Sequence, residues 1–237
     1  MKPGPVSTFL LIAGIALFPP HGWAASQIFF TSERDGNEEI YAVGTDGVDL
    51  INITGTPNNE GVVAVAPDGL TMAFRSLNGQ ASELFILDIN SGARTRLTEN
   101  AVFDSEPTWS PDGTSLAFTS ARTGNFDIFL LDIGTLATTQ VTTNSFFDGC
   151  PAWSPDGGQL AFESDRDGNS EIYLMNADGS APVNLTQSPA ADTGPAWSAC
   201  PLGETAVSYQ SWGRLKLKSS RQYFSPDQNP PPLQYSE

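Results

Sequence analysis

The chain has 237 residues, a formal net charge of −16 at pH 7 and only one histidine. Such an acidic molecule repels phosphate backbones, which excludes nucleic acid as an expected partner, whereas basic proteins and divalent cations remain open. The one histidine, His21, lies in an N-terminal segment that we expect to be removed, so a Ser-His-Asp hydrolase and a His-ligated zinc enzyme are excluded as well.

Residues 1–24 have the features of a cleavable signal peptide. Lys2 precedes an apolar stretch from Phe9 to Phe18, and Pro19-Pro20 and small residues follow at the spacing that signal peptidase requires. The apolar stretch is too short to cross a bilayer. We therefore expect a periplasmic or secreted protein with no membrane span.

Residues 25–198 repeat themselves every 44 positions. The segment "TWSPDGTSLAFTSARTGNFDIFLLD" begins at Thr108, and "AWSPDGGQLAFESDRDGNSEIYLMN" begins at Ala152. Phenylalanine, serine, acidic and threonine positions keep this step without insertion or deletion: Phe30, Phe74, Phe118, Phe162; Ser32, Ser76, Ser120, Ser164; Glu39, Glu83, Asp127, Glu171; and Thr54, Thr98, Thr142, Thr186. A strict period of this length indicates a repeat architecture.

Each copy predicts four short antiparallel strands and no helix. "SLAFTS" alternates apolar and polar residues after a Pro-Asp-Gly turn whose aspartate is expected to cap it, and "DIFLLD" follows a Gly-Asn turn. Four strands in about 44 residues predict the blade of an all-β propeller, with about four blades in this chain. The last strand, "GPAWS", either closes a four-bladed ring with the first strand or belongs to a larger propeller of which this chain is a part.

The pattern WSPDGxxLAFxSxRxGNxxIYLMxxDG resembles the TolB-like propeller repeat over residues 28–198. The resemblance implies a β-propeller of the kind found in periplasmic TolB and in the non-catalytic parts of secreted peptidases. We expect an extracytoplasmic scaffold that engages a protein or peptide partner, and not an enzyme, because the chain after the signal peptide has no histidine and no recognisable nucleophile motif. Two alternatives stay open: a non-catalytic module or remnant of a secreted hydrolase or lyase that binds peptide or glycan, and a calcium-stabilised, adhesion-like propeller.

Oxygen-bearing residues alternate in two of the predicted hairpin loops, as ligands do around a calcium ion. In the calcium interpretation the ligands are Glu33, Asp35, Asn37 and Glu39 in the first copy and Asp165, Asp167, Asn169 and Glu171 in the last. In the other interpretation the Gly and Asn residues simply turn the hairpin, and the repeating acid pairs with a nearby arginine, namely Arg34, Arg122 or Arg166. No other cofactor is predicted.

Two features concern the second half of the chain. Cys150 and Cys200 are the only cysteines, and an oxidising compartment would allow them to pair. After Ser198 the repeat register is lost, and residues 199–237 are predicted to form a diverged, partly disordered tail. This loss fits a diverged closing element as well as a truncated or frameshifted reading frame.

Overall fold

A computed structural model describes residues 27–79 and 81–198. The predicted signal peptide (1–24), Cys200 with its proposed pairing, and the predicted tail (199–237) lie outside these residues. The described chain forms four antiparallel sheets, which we call blades 1 to 4. None of the described residues belongs to a helix that is long and apolar enough to span a bilayer.

The strands follow one another in chain order within each blade. Blade 1 consists of β1 (Gln27–Ser32), β2 (Glu39–Gly44) and β3 (Ile51–Asn52). Blade 2 consists of β4 (Asn59–Val65), β5 (Thr71–Asn78), β6 (Ala81–Asp88) and β7 (Arg94–Arg96). Blade 3 consists of β8 (Asp104–Trp109), β9 (Ser115–Ser120), β10 (Asp127–Asp132) and β11 (Thr138–Gln140). Blade 4 consists of β12 (Asp148–Trp153), β13 (Gln159–Ser164), β14 (Glu171–Asn176) and β15 (Val183–Asn184). The all-β prediction and the count of about four blades are confirmed.

Neighbouring blades bury one another's apolar faces. Phe118 and Leu116 of blade 3 pack against Ala73 and Leu84 of blade 2, and all four are fully buried. Equivalent cores join blade 1 to blade 2 and blade 3 to blade 4. Each of these sheets is apolar on both faces. Because a single sheet cannot cover its own faces, each blade depends on its neighbours to bury its apolar side chains.

A bulge interrupts the first strand of each four-stranded blade. Val62, Glu106 and Cys150 occupy the same position of the repeat and adopt φ angles of 52°, 57° and 51°. The pairing register with the second strand shifts at each of them. Left-handed backbone is costly for residues with a Cβ atom, and the equivalent position in the next copy is Gly194, with φ 67°. The bulge is therefore a property of the repeat and not of one residue type.

The four blades form an open array. No strand of blade 1 contacts any strand of blade 4 within the described residues. Residues 192–197 lie beyond blade 4, where the Asp192 N–H donates to the Ser170 carbonyl at 2.7 Å and the Trp197 indole donates to the Ala152 carbonyl at 3.0 Å. Trp109 makes the same contact with Ala64 of blade 2. Of the two alternatives from the sequence, the described residues adopt the open one.

Candidate functional site

Loops gather at the two opposite ends of the strands. We call one end the Asp rim; it consists of the Pro-Asp-Gly turns (66–70, 110–114, 154–158) and the outer hairpins (45–50, 89–93, 133–137, 177–182). We call the other end the Asn rim; it consists of the inner hairpins (33–38, 121–126, 165–170) and the connections between blades (53–58, 97–103, 141–147, 185–191). Binding residues of repeat proteins concentrate on such loops.

Several turns of the Asp rim carry aspartates. Asp112 Oδ1 accepts hydrogen bonds from Ser110 Oγ at 2.6 Å and from the Thr114 N–H at 3.1 Å, and Asp156 caps its turn in the same way. The hydrogen bond from the serine hydroxyl is the main reason that the pKa of each of these two aspartates lies below its ordinary value. None of the loops of this rim contains a lysine or an arginine. The expected turn-capping role is confirmed.

On the Asn rim, the repeating acid ties two strands together. Asp127 is buried, and its Oδ1 accepts the Thr142 hydroxyl at 3.2 Å, while Thr142 Oγ1 accepts the Ile128 N–H at 2.9 Å. The same chain of acid, threonine and backbone amide joins Glu39 to Thr54, Glu83 to Thr98 and Glu171 to Thr186. Because these carboxylates satisfy a buried polar network, their repetition reflects blade architecture.

The predicted pairing of the repeating acid with Arg34, Arg122 or Arg166 is wrong. Arg122 and Arg166 instead pair with Asp104 at 3.1 Å and Asp148 at 2.9 Å, on the first strand of their blades. Each arginine Nε donates to the serine two residues earlier, which directs the guanidinium toward the first strand and over two aromatic rings. Arg34 lies over Tyr41 in the same way, but its blade has no first strand among the described residues.

The two loops proposed for calcium hold their oxygens in separate networks. Asp35 accepts the Tyr41 hydroxyl and the Asn52 amide, and Asp167 accepts the equivalent groups, with Asn184 Nδ2 at 2.7 Å. Asp165 accepts the Phe147 N–H at 2.8 Å. Glu39 and Glu171 belong to the threonine networks just described, and the Glu33 carbonyl accepts the Gly36 N–H at 3.0 Å.

The asparagines of these loops act as donors. Asn37 and Asn169 donate to carbonyls of the connection that follows each blade, and Asn125 of blade 3 does the same toward Phe146, at 2.7 Å. Gly36, Gly124 and Gly168 adopt φ 105° and turn the hairpin as expected. Nowhere in the described part of the chain do three His, Cys, Asp or Glu side chains gather closely enough to hold one metal ion. Calcium binding stays one of the two interpretations of these loops.

Hydrogen bonding shifts the acidity of the Tyr–Asp pairs in blades 1 and 4. The Tyr173 hydroxyl, more than any other group, holds the pKa of Asp167 below its ordinary value. Burial of the phenol, and then the neighbouring Asp167, raise the pKa of Tyr173 to about 12. The same causes raise the pKa of Tyr41 to about 12. Both phenols therefore stay protonated as donors throughout the physiological range.

A phenylalanine patch on the Asn rim was missed by sequence reasoning. Phe103, Phe126 and Phe147 meet edge to face, with ring centroids 5.9 Å apart in both contacts, and Phe146 beside them is 46% exposed. Asn125 fixes this loop through the Phe146 carbonyl. Phe103 and Phe147 share one repeat position, where Asn59 and Ala191 stand in the other copies. The sequence signal that could have revealed the patch is therefore a phenylalanine at a repeat position where the other copies have no aromatic residue.

Cys150, on the first strand of blade 4, is the one cysteine among the described residues, and its thiol is free. Its backbone N–H donates to Glu106 Oε2 at 2.9 Å, and Glu163 accepts the Gly194 N–H at 2.5 Å nearby. Burial, followed by the charges of Glu106 and Glu163, raises the pKa of the Cys150 thiol far above its ordinary value. A protonated thiol is a poor nucleophile, so Cys150 is not suited to covalent catalysis.

The comparisons with known proteins agree with the fold. A family model described as "TolB beta propeller domain" matches residues 52–145 and 125–211. A protein TolB homolog of Chlorobaculum tepidum is 31% identical over 84 residues, which are 35% of this chain and 19% of the relative. The corresponding homolog of Chlorobium chlorochromatii is 33% identical over 86 residues, again 35% of this chain and 19% of the relative. The chain thus aligns with only a small part of these curated relatives.

Solved structures share the fold at low identity. A putative TolB from Agrobacterium tumefaciens superposes with a TM-score of 0.61 at 24% identity, covering 67% of this chain and 60% of that one. An oligogalacturonate lyase from Vibrio parahaemolyticus gives a TM-score of 0.53 at 17% identity, covering 66% and 48%. Proteins with different activities therefore share this arrangement of blades, and the fold by itself selects none of them.

Proposed function

Since the chain belongs to the TolB beta-propeller domain family, we propose that it is an extracytoplasmic scaffold that binds a protein or peptide partner and catalyses no reaction. The observation that supports this proposal most strongly is the phenylalanine patch on the Asn rim, where hydrogen bonds from Asn125 hold the loop. Aromatic side chains, phenylalanine among them, are enriched in the cores of protein–protein interfaces relative to the rest of the protein surface. The Asn125 hydrogen bonds hold the loop in place, so little conformational entropy is lost when a partner binds.

The non-enzymatic part of the proposal rests on the chemistry of the side chains. The sole histidine, His21, belongs to the predicted signal peptide, and Cys150 is held as a thiol. The repeating carboxylates of the Asn rim each accept a threonine hydroxyl, and two of them, Glu83 and Glu171, also accept a backbone N–H. On the Asp rim, Asp112 and Asp156 cap turns and have lowered pKa values, which suits these two carboxylates poorly to act as general acids at neutral pH.

The surface also indicates the chemistry of the partner. The described residues contain no lysine and six arginines, of which Arg75, Arg94, Arg96, Arg122 and Arg166 already pair with carboxylates. Such a strongly anionic scaffold favours a partner whose apolar anchor is flanked by basic residues, because complementary charge accelerates association and disfavours acidic competitors.

The test is capture of a partner from envelope extract by the immobilised chain. We expect Phe146→Ala to lose the partner, because this substitution removes the most exposed ring of the patch and little of the core. The matched control is Leu136→Ala, which removes a side chain of similar exposure (45%, against 46% for Phe146) from the opposite rim and should retain the partner. Equal retention by the two variants would contradict the assignment of the patch. Capture of an oligosaccharide instead of a protein would support the hydrolase or lyase module.

A further inference from the structure

Two faces of the array have no neighbouring blade among residues 27–79 and 81–198. We call the face of a blade that contacts the preceding blade its front face, and the face that contacts the following blade its back face. On the front face of blade 1, Ile28 is 55% exposed, whereas Leu116 at the same repeat position in blade 3 is fully buried. On the back face of blade 4, Leu185 is 54% exposed, whereas its equivalent Leu97 is 7% exposed. Both faces are built to be covered by another blade.

An incomplete blade exists at each end. In the part of the chain that the structure describes, blade 1 has three strands and no counterpart of the first strand of blades 2, 3 and 4. Residues 192–197 occupy the place of a first strand beyond blade 4, with Trp197 bonded to Ala152 as Trp109 is to Ala64 and with Gly194 at the bulge. These residues pair with no second strand within the described range. Residues 192–197 at one end therefore have the form of the first strand that the described part of blade 1 lacks at the other end.

An arginine and an aspartate remain without their usual ion pair. Arg122 pairs with Asp104 in blade 3 and Arg166 with Asp148 in blade 4, always between the inner hairpin and the first strand. The same repeat positions at the two ends are Arg34 and Asp192. Neither of these forms an ion pair within the described residues. The two ends are therefore complementary in charge as well as in shape.

We propose that a second copy of this chain docks head to tail, with its blade 1 on the back face of blade 4 and its β1 paired with residues 192–197. The pairing follows that of blade 3, where Asp104, Ser105, Thr108 and Trp109 lie opposite Ser120, Thr119, Ala117 and Leu116. Shifted by two repeats, this register places Asp192, Thr193, Ala196 and Trp197 opposite Ser32, Thr31, Phe29 and Ile28 of the second copy. It also places Arg34 of that copy beside Asp192.

The interface repeats one that the chain forms three times internally. The apolar cores between blades 1 and 2, 2 and 3, and 3 and 4 all join a back face to a front face. A second copy, and not the chain's own blade 1, is the occupant because the described blades 1 and 4 do not contact each other. Pairing β1 also covers its open edge, which otherwise exposes unpaired backbone groups.

The experiment measures the mass of the purified full chain by light scattering across a range of concentrations, near 150 mM salt, where the Debye length of about 8 Å limits repulsion between acidic copies. We expect twice the mass of a single chain, or larger head-to-tail multiples. Arg34→Glu and Asp192→Arg each place like charges in the joint, by which we mean the interface between blade 4 of one copy and blade 1 of the next. Each substitution should weaken association at least tenfold. The matched control, Glu99→Arg, makes the same charge change at a carboxylate that is 86% exposed away from both ends, and it should associate normally.

Mixing the two variants identifies the joint. When Arg34→Glu chains are combined with Asp192→Arg chains, every joint between unlike copies again contains opposite charges, so association should return to the level of the unaltered chain. Closure within one chain cannot be rescued in this way. A monomer at all concentrations with an intact fold by circular dichroism would overturn the proposal, and so would association that neither variant weakens or that mixing does not restore.

Discussion

The interior blades and the two ends of the array carry the same repeat, yet they differ in what covers them. Phe118 of blade 3 is fully buried between two blades, whereas Phe30, at the same position of blade 1, has an aromatic neighbour in its own sheet but no preceding blade within the described residues. Trp109 is buried and Trp197 is exposed, although both donate the same hydrogen bond. The repeat therefore encodes the sheet, while the neighbouring blade provides the burial.

The largest effect that would sharpen this comparison comes from truncating the repeated phenylalanine. We expect Phe118→Ala to lower the free energy of unfolding by about 4 kcal/mol, because it opens a cavity between two blades. Phe30→Ala should lower it by only about 1 kcal/mol, since that ring has fewer contacts to lose. Urea unfolding, monitored by circular dichroism, compares the two in chains that also carry Asp192→Arg, so that association does not protect Phe30. Equal losses would refute the dependence on neighbours.

The ion pairs give the next largest contrast. Asp148→Ala should lower the free energy of unfolding by about 3 kcal/mol, because Asp148 is fully buried and Arg166 and Asn144 would lose their acceptor. Asp192→Ala should cost less than about 0.5 kcal/mol in the isolated chain, because none of the described residues forms an ion pair with Asp192. The same unfolding assay, at concentrations below those of association, measures both. A cost at Asp192 comparable with that at Asp148 would mean that blade 4 already has a partner.

Substitutions at the bulge position are expected to change the free energy of unfolding in opposite directions. Val62→Gly should raise the free energy of unfolding by up to about 1 kcal/mol, because relief of left-handed strain outweighs the added flexibility of the unfolded chain. Gly194→Ala at the end of the array should lower it by about 1 kcal/mol, because it introduces that strain. Val62→Ala, which keeps a Cβ atom, is the control and should not stabilise. Melting temperatures report all three changes, and destabilisation by Val62→Gly would contradict the account.

The sequence allowed the blades to be predicted because strand alternation, Pro-Asp-Gly turns and the 44-residue step all agree. It did not reveal the bulge, since Val62, Glu106 and Cys150 share a backbone conformation without sharing a residue type. The partner of Arg122 was mispredicted because sequence proximity suggested the repeating acid, whereas the Ser120 hydroxyl directs the guanidinium to Asp104. The phenylalanine patch joins residues of two inter-blade connections and one hairpin, which spacing alone does not bring together.

We expect alkaline pH to affect the stability of the end blades differently from that of the interior blades. Blades 1 and 4 carry Tyr41 and Tyr173 where blades 2 and 3 carry Phe85 and Phe129. Folding raises the pKa of both phenols from 10.0 to about 12, so their contribution to stability is complete below pH 10 and is lost as the pH rises toward 12. We expect the melting temperature to fall over this window, and to fall less in the Tyr41→Phe, Tyr173→Phe double variant. An identical decline in both chains would contradict the assignment.

The smallest expected effect concerns calcium in the same two blades. Asp35 and Asp167 already accept two protein donors each, so we expect dialysis against a chelator, followed by addition of calcium, to leave the melting midpoint unchanged within about 1 °C. Differential scanning calorimetry provides the measurement, with magnesium as the control ion. A midpoint that rises with calcium and not with magnesium would support the calcium-stabilised propeller instead.

Native-state hydrogen exchange in the Asp192→Arg chain, read residue by residue, tests most directly whether neighbours stabilise the blades. The account predicts that amides of β5, β9 and β10, which lie between two neighbouring blades, exchange slowest and open together. It predicts that amides of β1 and of residues 192–197 exchange faster by orders of magnitude. Uniform protection across all four blades would contradict the claim, because each blade would then be stable without its neighbours.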